Sequence, residues 1–237
     1  MEQSQFEYSG QELDTYKNAY NFKQYYYDLA KNLIPNNCIF LEIGAGIGSI
    51  TKLFSININF TSWTLLEPDE DDAQILKSNF KNKNRFIIFN SNLENFKSKN
   101  KYDVIIAADV INHIKDDSSA LIYLINLLNP EWVLLLYVPA LNWLYSPFDK
   151  SIGHYRRYNK TSLKKILPKK ANFLIIKYID SIGLFASAAN KFLQKSSSPK
   201  LKQVLFWDRF LIPISRLVER LIRYKYGKNI FAVIKKR

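Results

Sequence analysis

The chain reads Phe40-Leu41-Glu42-Ile43-Gly44-Ala45-Gly46-Ile47-Gly48 at the point that decides its fold. The apolar run at residues 38–43 is typical of a short buried strand, and three glycines at alternate positions follow it directly. Glycine lets the backbone turn tightly and approach a ligand, while the amides of a following helix point into the same space. The stretch therefore predicts a strand, a ligand-binding turn at Gly44, Ala45, Gly46 and Gly48, and then a helix.

Short apolar runs alternate with helical patterns along the rest of the chain. Six further strands are predicted at 62–67, 85–89, 102–108, 132–138, 173–178 and 230–234, with helices at 49–55, 71–80 and 118–128. Ser9 and Glu12 form a capping-box pattern that opens another helical region, which ends near Leu33 before Pro35. Apolar strands separated by helices predict an α/β fold: a doubly wound, mostly parallel seven-stranded sheet with helices on both faces.

Polar residues follow the next predicted strands, and parallel sheets bind ligands beyond the carboxyl ends of their strands. Glu67 ends the second strand before Pro68, and a carboxylate there can accept hydrogen bonds from both ribose hydroxyls of an adenosine. Asn92 and Leu93 follow the third strand and offer an amide and an apolar contact for an adenine ring. Asp109 follows the fourth strand and is a candidate partner for an ammonium group, or a cap of the turn.

The glycine spacing separates two classes of nucleotide-binding protein. A dinucleotide fingerprint requires its third glycine three places after the second, where this chain has Ser49. Gly-x-Gly-x-Gly preceded by an acid, here Glu42, is instead the methyltransferase form. A nicotinamide-dependent oxidoreductase and a non-catalytic binding or scaffold protein on the same fold are the two alternatives.

Together these segments resemble the class I S-adenosylmethionine-dependent methyltransferases over nearly the whole chain. Residues 41–48 are similar to the family's first motif, Glu67 to its ribose-binding acid, and residues 102–114 to the motif around its fourth strand. The resemblance implies a Rossmann-like sheet, S-adenosyl-L-methionine as the cofactor, and methyl transfer. The implied cofactor-binding residues are Glu42, Gly44, Ala45, Gly46, Gly48, Glu67, Pro68, Asn92, Leu93 and Asp109.

A second run, at residues 138–158, is similar to a bacterial subfamily associated with glycan and lipid-linked sugar pathways. It ends in Gly153-His154-Tyr155-Arg156-Arg157-Tyr158. Two positions depart from the family's pattern, because Asn112 stands before His113 in place of a glutamate and Pro130-Glu131-Trp132 replaces Pro-Gly-Gly. The resemblance implies O- or N-methylation of a small-molecule or lipid-linked acceptor.

The only two histidines, His113 and His154, both fall in these motif segments. Histidine titrates near neutral pH, which suits a base that removes the proton of an oxygen or nitrogen acceptor. Both are therefore catalytic candidates, and the alternative for each is a structural role.

Tyr155, Arg156 and Arg157 are candidates for binding the acceptor. Arginine grips phosphate or carboxylate through paired hydrogen bonds, and a tyrosine ring can cover an apolar or sugar face. The alternative is a structural lid whose arginines pair with Asp149 or Asp116.

Positive charge is concentrated in the second part of the chain. Residues 151–237 contain 21 lysines and arginines against three acidic residues, and the net charge of the chain is +13. The imbalance predicts an anionic acceptor, lipid surface or partner, or else simply solvated lysines. The 237 residues predict a single domain with a helical cap (1–35), a cofactor-binding core (36–150) and a basic acceptor-side half (151–237) that holds a helical insertion (183–226) and the final strand.

Several classes of protein are disfavoured. Cys38 is the only cysteine, so no internal disulfide forms, and no metal site is predicted. The N-terminus lacks a secretory pattern, which predicts a cytoplasmic protein. Neither a base-methylating motif nor an aromatic RNA-binding signature is present, so no nucleic-acid partner is expected.

Residues 204–224 form an amphipathic pattern. Its arginines lie on one side and its apolar residues on the other, namely Trp207, Phe210, Leu211, Ile214, Leu217, Val218 and Leu221. An apolar stripe usually packs in the core, which is the prediction here. A cationic helix in peripheral contact with the inner membrane surface, or a substrate lid, is the alternative.

Overall fold

Seven strands form the sheet in the computed structural model, which describes residues 17–81, 83–189, 191 and 200–237. They are β1 (Cys38–Ile43), β2 (Phe60–Glu67), β3 (Phe86–Asn90), β4 (Tyr102–Ala108), β5 (Leu128–Pro139), β6 (Ala171–Ile179) and β7 (Asn229–Lys236). Their order across the sheet is β3-β2-β1-β4-β5-β7-β6. Strands β1 to β5 pair in parallel, and β7 runs antiparallel to both β5 and β6. The predicted mostly parallel, seven-stranded sheet is confirmed.

Helices connect most of the strands. They are α1 (Tyr20–Ala30), α2 (Ser49–Asn57), α3 (Glu70–Asn79), α4 (Asp117–Leu127), α5 (Pro147–Ser151), α6 (Lys160–Ile166), α7 (Ser181–Ala189), α8 (Leu201–Phe206) and α9 (Ile212–Leu221). A π-helical turn, Trp207–Leu211, joins α8 to α9. Within the described ranges, none of these helices combines the length and apolar character that crossing a membrane requires.

Apolar clusters cover both faces of the sheet. Successive residues of a strand point to opposite faces, so Phe40 of β1 belongs to one cluster and Leu41 to the other. Helices α1, α2 and α3 pack in the cluster of Phe40, and α4 and α6 pack in the cluster of Leu41. The ring of Phe40 stacks on that of Trp63 with centroids 4.2 Å apart. Because both faces are covered, a ligand can reach the sheet only at the ends of its strands.

The start of the first described helix depends on a distant residue. The predicted capping box, Ser9 and Glu12, lies outside the described residues. Helix α1 begins at Tyr20, and the carboxylate of Asp208 accepts hydrogen bonds from the main-chain nitrogens of Asn21 (3.1 Å) and Phe22 (2.8 Å). Because Asp208 lies in the π-helical turn, the segment that contains it is tied to α1.

The segment at 201–221 is helical, as predicted, but the prediction that its apolar stripe forms core is wrong. Trp207 is buried and Leu211 and Val218 are half-buried, whereas the rest of the stripe is exposed at Phe210, Ile214, Leu217 and Leu221. The reason is that α9 packs through its polar side, where Ser215 and Glu219 are fully buried. Pro213 lies in the first turn of α9, a position that proline tolerates.

Candidate active site

The turn after β1 is held in a conformation that glycine adopts readily. Gly44, Gly46 and Gly48 have φ angles of +64°, +54° and +83°. At Gly48, an added Cβ atom would lie 2.4 Å from the ring of Phe80, so a side chain has neither the conformation nor the space. The turn thereby lets α2 begin next to the C-terminal end of α3, where Leu76 and Phe80 lie.

Glu67 joins the carboxyl ends of β1 and β2. Its Oε2 atom accepts a hydrogen bond from the main-chain nitrogen of Gly46 at 2.7 Å, and its Oε1 atom accepts one from that of Asp69 at 3.0 Å. Burial raises the pKa of Glu67 to about 7, although both hydrogen bonds oppose the shift. The carboxylate therefore fixes the glycine turn and keeps further acceptor capacity.

Glu42 is a buried acid directly before the same turn. It is 2 % exposed, and its Oε2 atom accepts a hydrogen bond from the Thr51 hydroxyl at 2.8 Å. Burial raises the pKa of Glu42 to about 8, and the nearby Glu67 adds to the shift. An acid in this condition favours a positively charged ligand, because such a ligand offsets the cost of ionising it.

A cavity of about 950 Å³ opens at the carboxyl ends of the parallel strands. This is near the upper end of the range for small-molecule sites, roughly 300–1,000 Å³. Eight predicted site residues line it: Glu42, Gly44, Ala45, Gly46, Asp109, His113, His154 and Arg157. Seven others do not belong to the lining: Gly48, Glu67, Pro68, Asn92, Leu93, Tyr155 and Arg156.

The predicted adenine contacts lie beside the end of β2. Asn92 is exposed, and its Oδ1 atom accepts a hydrogen bond from the main-chain nitrogen of Asn95 at 2.9 Å. Leu93 is buried in an apolar cluster, and Pro68 is exposed. The amide of Asn90 donates to the carbonyls of both Glu67 and Pro68 at 3.0 Å, which fixes this corner of the sheet.

The two histidines meet in the cavity. The rings of His113 and His154 make an edge-to-face contact with centroids 4.5 Å apart. Asp109 completes the group, with its Oδ1 atom 3.7 Å from His154 Nε2 and 2.9 Å from the amide nitrogen of the buried Asn112. Burial lowers the pKa of His113, with Asp109 opposing the shift and His154 adding to it. One nitrogen or oxygen atom of each of the three side chains lies within 4.8 Å of the others, so the group offers acid–base chemistry or metal ligands.

Asp149 orients His154. The Asp149 Oδ1 atom lies 3.0 Å from His154 Nδ1, and Arg157 binds both carboxylate oxygens at 2.8 and 3.0 Å. Burial alone would raise the pKa of Asp149, but the contacts with His154, Arg157 and Ser146 hold it at about 2. With Nδ1 engaged, His154 Nε2 is buried without a hydrogen-bond partner and the residue lines the cavity. The sequence indicated Asp149 only as a partner for an arginine, and its contact with His154 was missed.

The predicted grip of the acceptor by Tyr155 and Arg156 does not agree with their positions. Arg156 pairs with Asp117 at 2.8 Å and donates to the carbonyl of Lys115 at 2.7 Å. Asp117 also accepts a hydrogen bond from the Tyr158 hydroxyl at 2.7 Å. The side chain of Tyr155 is exposed outside the cavity. Arg157 does line the cavity, but its guanidinium group already makes a bidentate contact with Asp149.

The remainder of the cavity combines apolar rings with lysines that sequence reasoning missed. Its apolar walls include Phe22, Phe148, Phe206, Trp207 and Leu211. Its lysines are Lys17, Lys23, Lys191, Lys202 and Lys228. Burial lowers the pKa of Lys23, with Asp208 opposing the shift. The basic character of residues 151–237 is the sequence signal for Lys191, Lys202 and Lys228, whereas Lys17 and Lys23 have no such signal.

Comparison with known proteins identifies the family to which this fold belongs. Residues 17–178 match a family described as a methyltransferase domain. Phosphoethanolamine N-methyltransferase 2 from Haemonchus contortus, solved with phosphomonomethylethanolamine and S-adenosylhomocysteine, is similar with a TM-score of 0.64 and 15 % identity. That alignment covers 97 % of this chain but only 58 % of the Haemonchus enzyme. No curated protein matches the sequence.

Two further structures have the same fold. The N-methyltransferase NodS from Bradyrhizobium japonicum has a TM-score of 0.59 and 11 % identity, over 91 % of this chain and 96 % of its own. The cyclase SpnF has a TM-score of 0.62 and 12 % identity, over 90 % of this chain and 81 % of its own. At these identities the likeness shows a shared fold, and chemistry has to be argued from the site.

Proposed function

This chain belongs to the class I S-adenosylmethionine-dependent methyltransferases, and we propose that it methylates an oxygen or nitrogen atom of an anionic small-molecule or lipid-linked acceptor. The observation that carries the proposal is the composition of the cavity. The cavity is lined by a glycine turn, a buried acid, two histidines, apolar rings and lysines. Family membership sets aside the nicotinamide-dependent alternative.

S-adenosylmethionine, when bound, supplies a methyl group on a positively charged sulfur. We propose that Glu42, Asp109 and the Gly44–Gly46 backbone hold this cation, because the buried Glu42 carboxyl favours a positive ligand. Glu67 is proposed to receive the ribose hydroxyls, since each carboxylate oxygen can accept a second hydrogen bond. We propose that the adenine lies next to Pro68, Asn92 and Leu93. Gly48 does not line the cavity, and its proposed role is to maintain the conformation of the turn.

Cofactor affinity is expected to rise by about tenfold between pH 6 and 7.5. The pKa of Glu42 is about 8 and that of Glu67 about 7, so both acids are partly protonated over this interval and ionise as the pH rises. A cationic ligand binds the ionised form and releases protons on binding. Calorimetric titration in buffers of different ionisation enthalpy measures both effects. Glu42→Gln should flatten the profile, and an unchanged slope in both Glu42→Gln and Glu67→Gln would refute the assignment.

We propose that His154 takes the proton of the acceptor as the methyl group is transferred. Methyl transfer is an in-line displacement, so a correctly positioned acceptor supplies much of the rate, and an oxygen or nitrogen acceptor must also lose a proton. His154 lines the cavity, and its Nε2 atom is buried without a hydrogen-bond partner, while Nδ1 is held by Asp149. Asp149 acts as a positioning residue, and Arg157 keeps its carboxylate ionised.

The lysines of the cavity support an anionic acceptor. Lys23 is 9 % exposed, and burial disfavours its charged form. A phosphate or carboxylate group beside it would favour the charged form of Lys23 and accept a charge-assisted hydrogen bond from it. The apolar rings suit an acyl chain or the apolar face of a sugar, which favours a lipid-linked acceptor.

A phosphorylated amino alcohol is expected to give a kcat/KM about tenfold or more above that of its dephosphorylated counterpart, as a charge-assisted contact provides. Release of S-adenosylhomocysteine measures turnover. Lys23→Gln should raise the KM for the phosphorylated acceptor with little change in kcat, since it removes the charge from the cavity wall. Arg156→Gln is the matched control, because Arg156 pairs with Asp117 outside the cavity. An equal KM increase in both variants would argue against the lysine contact.

We further propose that the single domain divides as the sequence indicates. In this division residues 1–35, of which the structure describes 17–35, belong to the cap, 36–150 to the cofactor-binding core, and 151–237 to the acceptor-side half with the insertion at 183–226. The cavity lining supports this division, because Phe22, Glu42 and Trp207 come from the three parts in turn.

A further inference from the structure

An exposed apolar face runs along the segment from α8 to α9. Its members follow one another at helical spacing, and the last two, Leu217 and Leu221, are 66 % and 78 % exposed. The rings of Phe206 and Phe210 contact each other with centroids 5.3 Å apart. We call this set the outer face: Phe206, Phe210, Ile214, Leu217 and Leu221. An apolar strip of this length on a surface marks a site of contact.

The opposite side of the same segment is polar and fixed in place. Glu219 accepts hydrogen bonds from the main-chain nitrogen of Ser181 at 2.8 Å and from the Tyr25 hydroxyl. Ser215 accepts one from the main-chain nitrogen of Ile182 at 3.0 Å, and Asp208 caps α1. Rotating the helix to bury its leucines would leave these buried groups without partners, which is costly. The orientation with the apolar side outward is therefore the stable one.

Every exposed charged side chain between residues 200 and 228 is basic. The two acids of this stretch, Asp208 and Glu219, are 5 % and 0 % exposed. The exposed cations are Lys200, Lys202, Arg209, Arg220, Arg223 and Lys225. An exposed apolar strip with cations beside it and no exposed acid complements an anionic lipid surface, where the apolar side chains enter the acyl boundary and the cations meet headgroups.

The outer face also borders the cavity. Phe206 is 55 % exposed and lines the cavity as well, together with Lys202 and Trp207 of the same segment. We propose that the outer face docks on an anionic membrane surface, so that the acceptor enters the cavity from the lipid–water boundary. The route of entry rests on the proposed lipid-linked acceptor, but the docking itself does not.

Vesicle flotation of the full chain tests the docking. The protein should float with phosphatidylcholine vesicles that contain about one third phosphatidylglycerol and should not float with phosphatidylcholine alone. Leu217→Glu combined with Leu221→Glu should weaken partition to the anionic vesicles by about tenfold or more. Ile56→Glu is the matched control, since Ile56 is 73 % exposed on α2 and does not belong to the outer face. Arg220→Gln with Arg223→Gln should also weaken partition and reduce its dependence on salt.

Three results would overturn the docking proposal. One is a wild-type protein that does not float, and a second is equal flotation of the double-leucine variant and the wild type. The third is a fall in the melting temperature of that variant, or dissociation of a dimer by light scattering, because either means that protein already covers the face.

Cofactor affinity should be unchanged in the variant. Flotation without methylation of any lipid would refute the lipid-linked acceptor alone, whereas turnover of a soluble acceptor without flotation would refute the docking alone.

Discussion

Replacing His154 with asparagine is expected to lower kcat by roughly 10²–10⁴ while leaving cofactor affinity nearly unchanged. Asparagine keeps a hydrogen-bonding side chain beside Asp149 but cannot take a proton from the acceptor. His154 lines the cavity and its Nε2 atom has no hydrogen-bond partner, so this nitrogen is available to accept a proton. If His154 is the base, the wild-type rate falls toward acidic pH, and this fall should be absent in His154→Asn. Single-turnover rates between pH 5 and 9 measure both effects.

His113→Asn is the matched control for this experiment. The ring of His113 contacts the ring of His154, but burial lowers the pKa of His113. If His113→Asn loses the rate and His154→Asn does not, the roles of the two histidines are reversed. If EDTA abolishes the activity of the wild-type enzyme and a divalent ion restores it, the two histidines and Asp109 bind a metal, and the proton-transfer assignment is wrong.

Gly46→Val is expected to weaken S-adenosylmethionine binding by roughly 10²-fold, with most of the fold retained. Gly46 has a φ of +54° and lines the cavity, so valine adds backbone strain of about 1–3 kcal/mol and fills space at the cofactor end. Glu67→Ala should cost about 1.5–3 kcal/mol of binding free energy through the lost hydrogen bonds. Isothermal calorimetry measures both losses.

Asp69→Ala is the control, because Asp69 lies two residues beyond Glu67 and caps α3. Its Oδ1 atom accepts a hydrogen bond from the main-chain nitrogen of Asp72 at 2.9 Å. This variant should lose about 1 kcal/mol of stability and keep its cofactor affinity. Comparable affinities in Gly46→Val, Glu67→Ala and the wild type would disprove the proposed cofactor site.

The sequence predicts the part of the sheet from β1 to β4 well because the signals there are local. Strands β1 and β4 have the predicted bounds, since continuous apolar runs end abruptly at Gly44 and at Asp109. β5 begins earlier than predicted, at Leu128, because it continues directly from α4. The glycine spacing likewise predicts the turn conformation, which depends on the backbone of those residues alone.

The contacts around His154 and in α9 could not be predicted because they join distant parts of the chain. The pattern of arginines after His154 does not reveal that Arg156 pairs with Asp117. An amphipathic pattern distinguishes two sides of a helix but not which of them faces inward. In α9 the outcome is decided by Tyr25 and the main chain of α7, which supply hydrogen-bond partners for Glu219 and Ser215.

Strand β7 lies between β5 and β6, so its position governs the order in which the molecule can assemble. The neighbours of β1 in the sheet, β2 and β4, both lie within the first 108 residues of the chain. Strand β6 pairs with β7 alone, and β7 follows the whole of the segment from α8 to α9. Strand β6 therefore cannot join the sheet until β7, which follows that segment in the chain, is present. The side of the sheet that holds β6 and β7 therefore requires a nearly finished chain, whereas strands β1 to β5 are complete by residue 139.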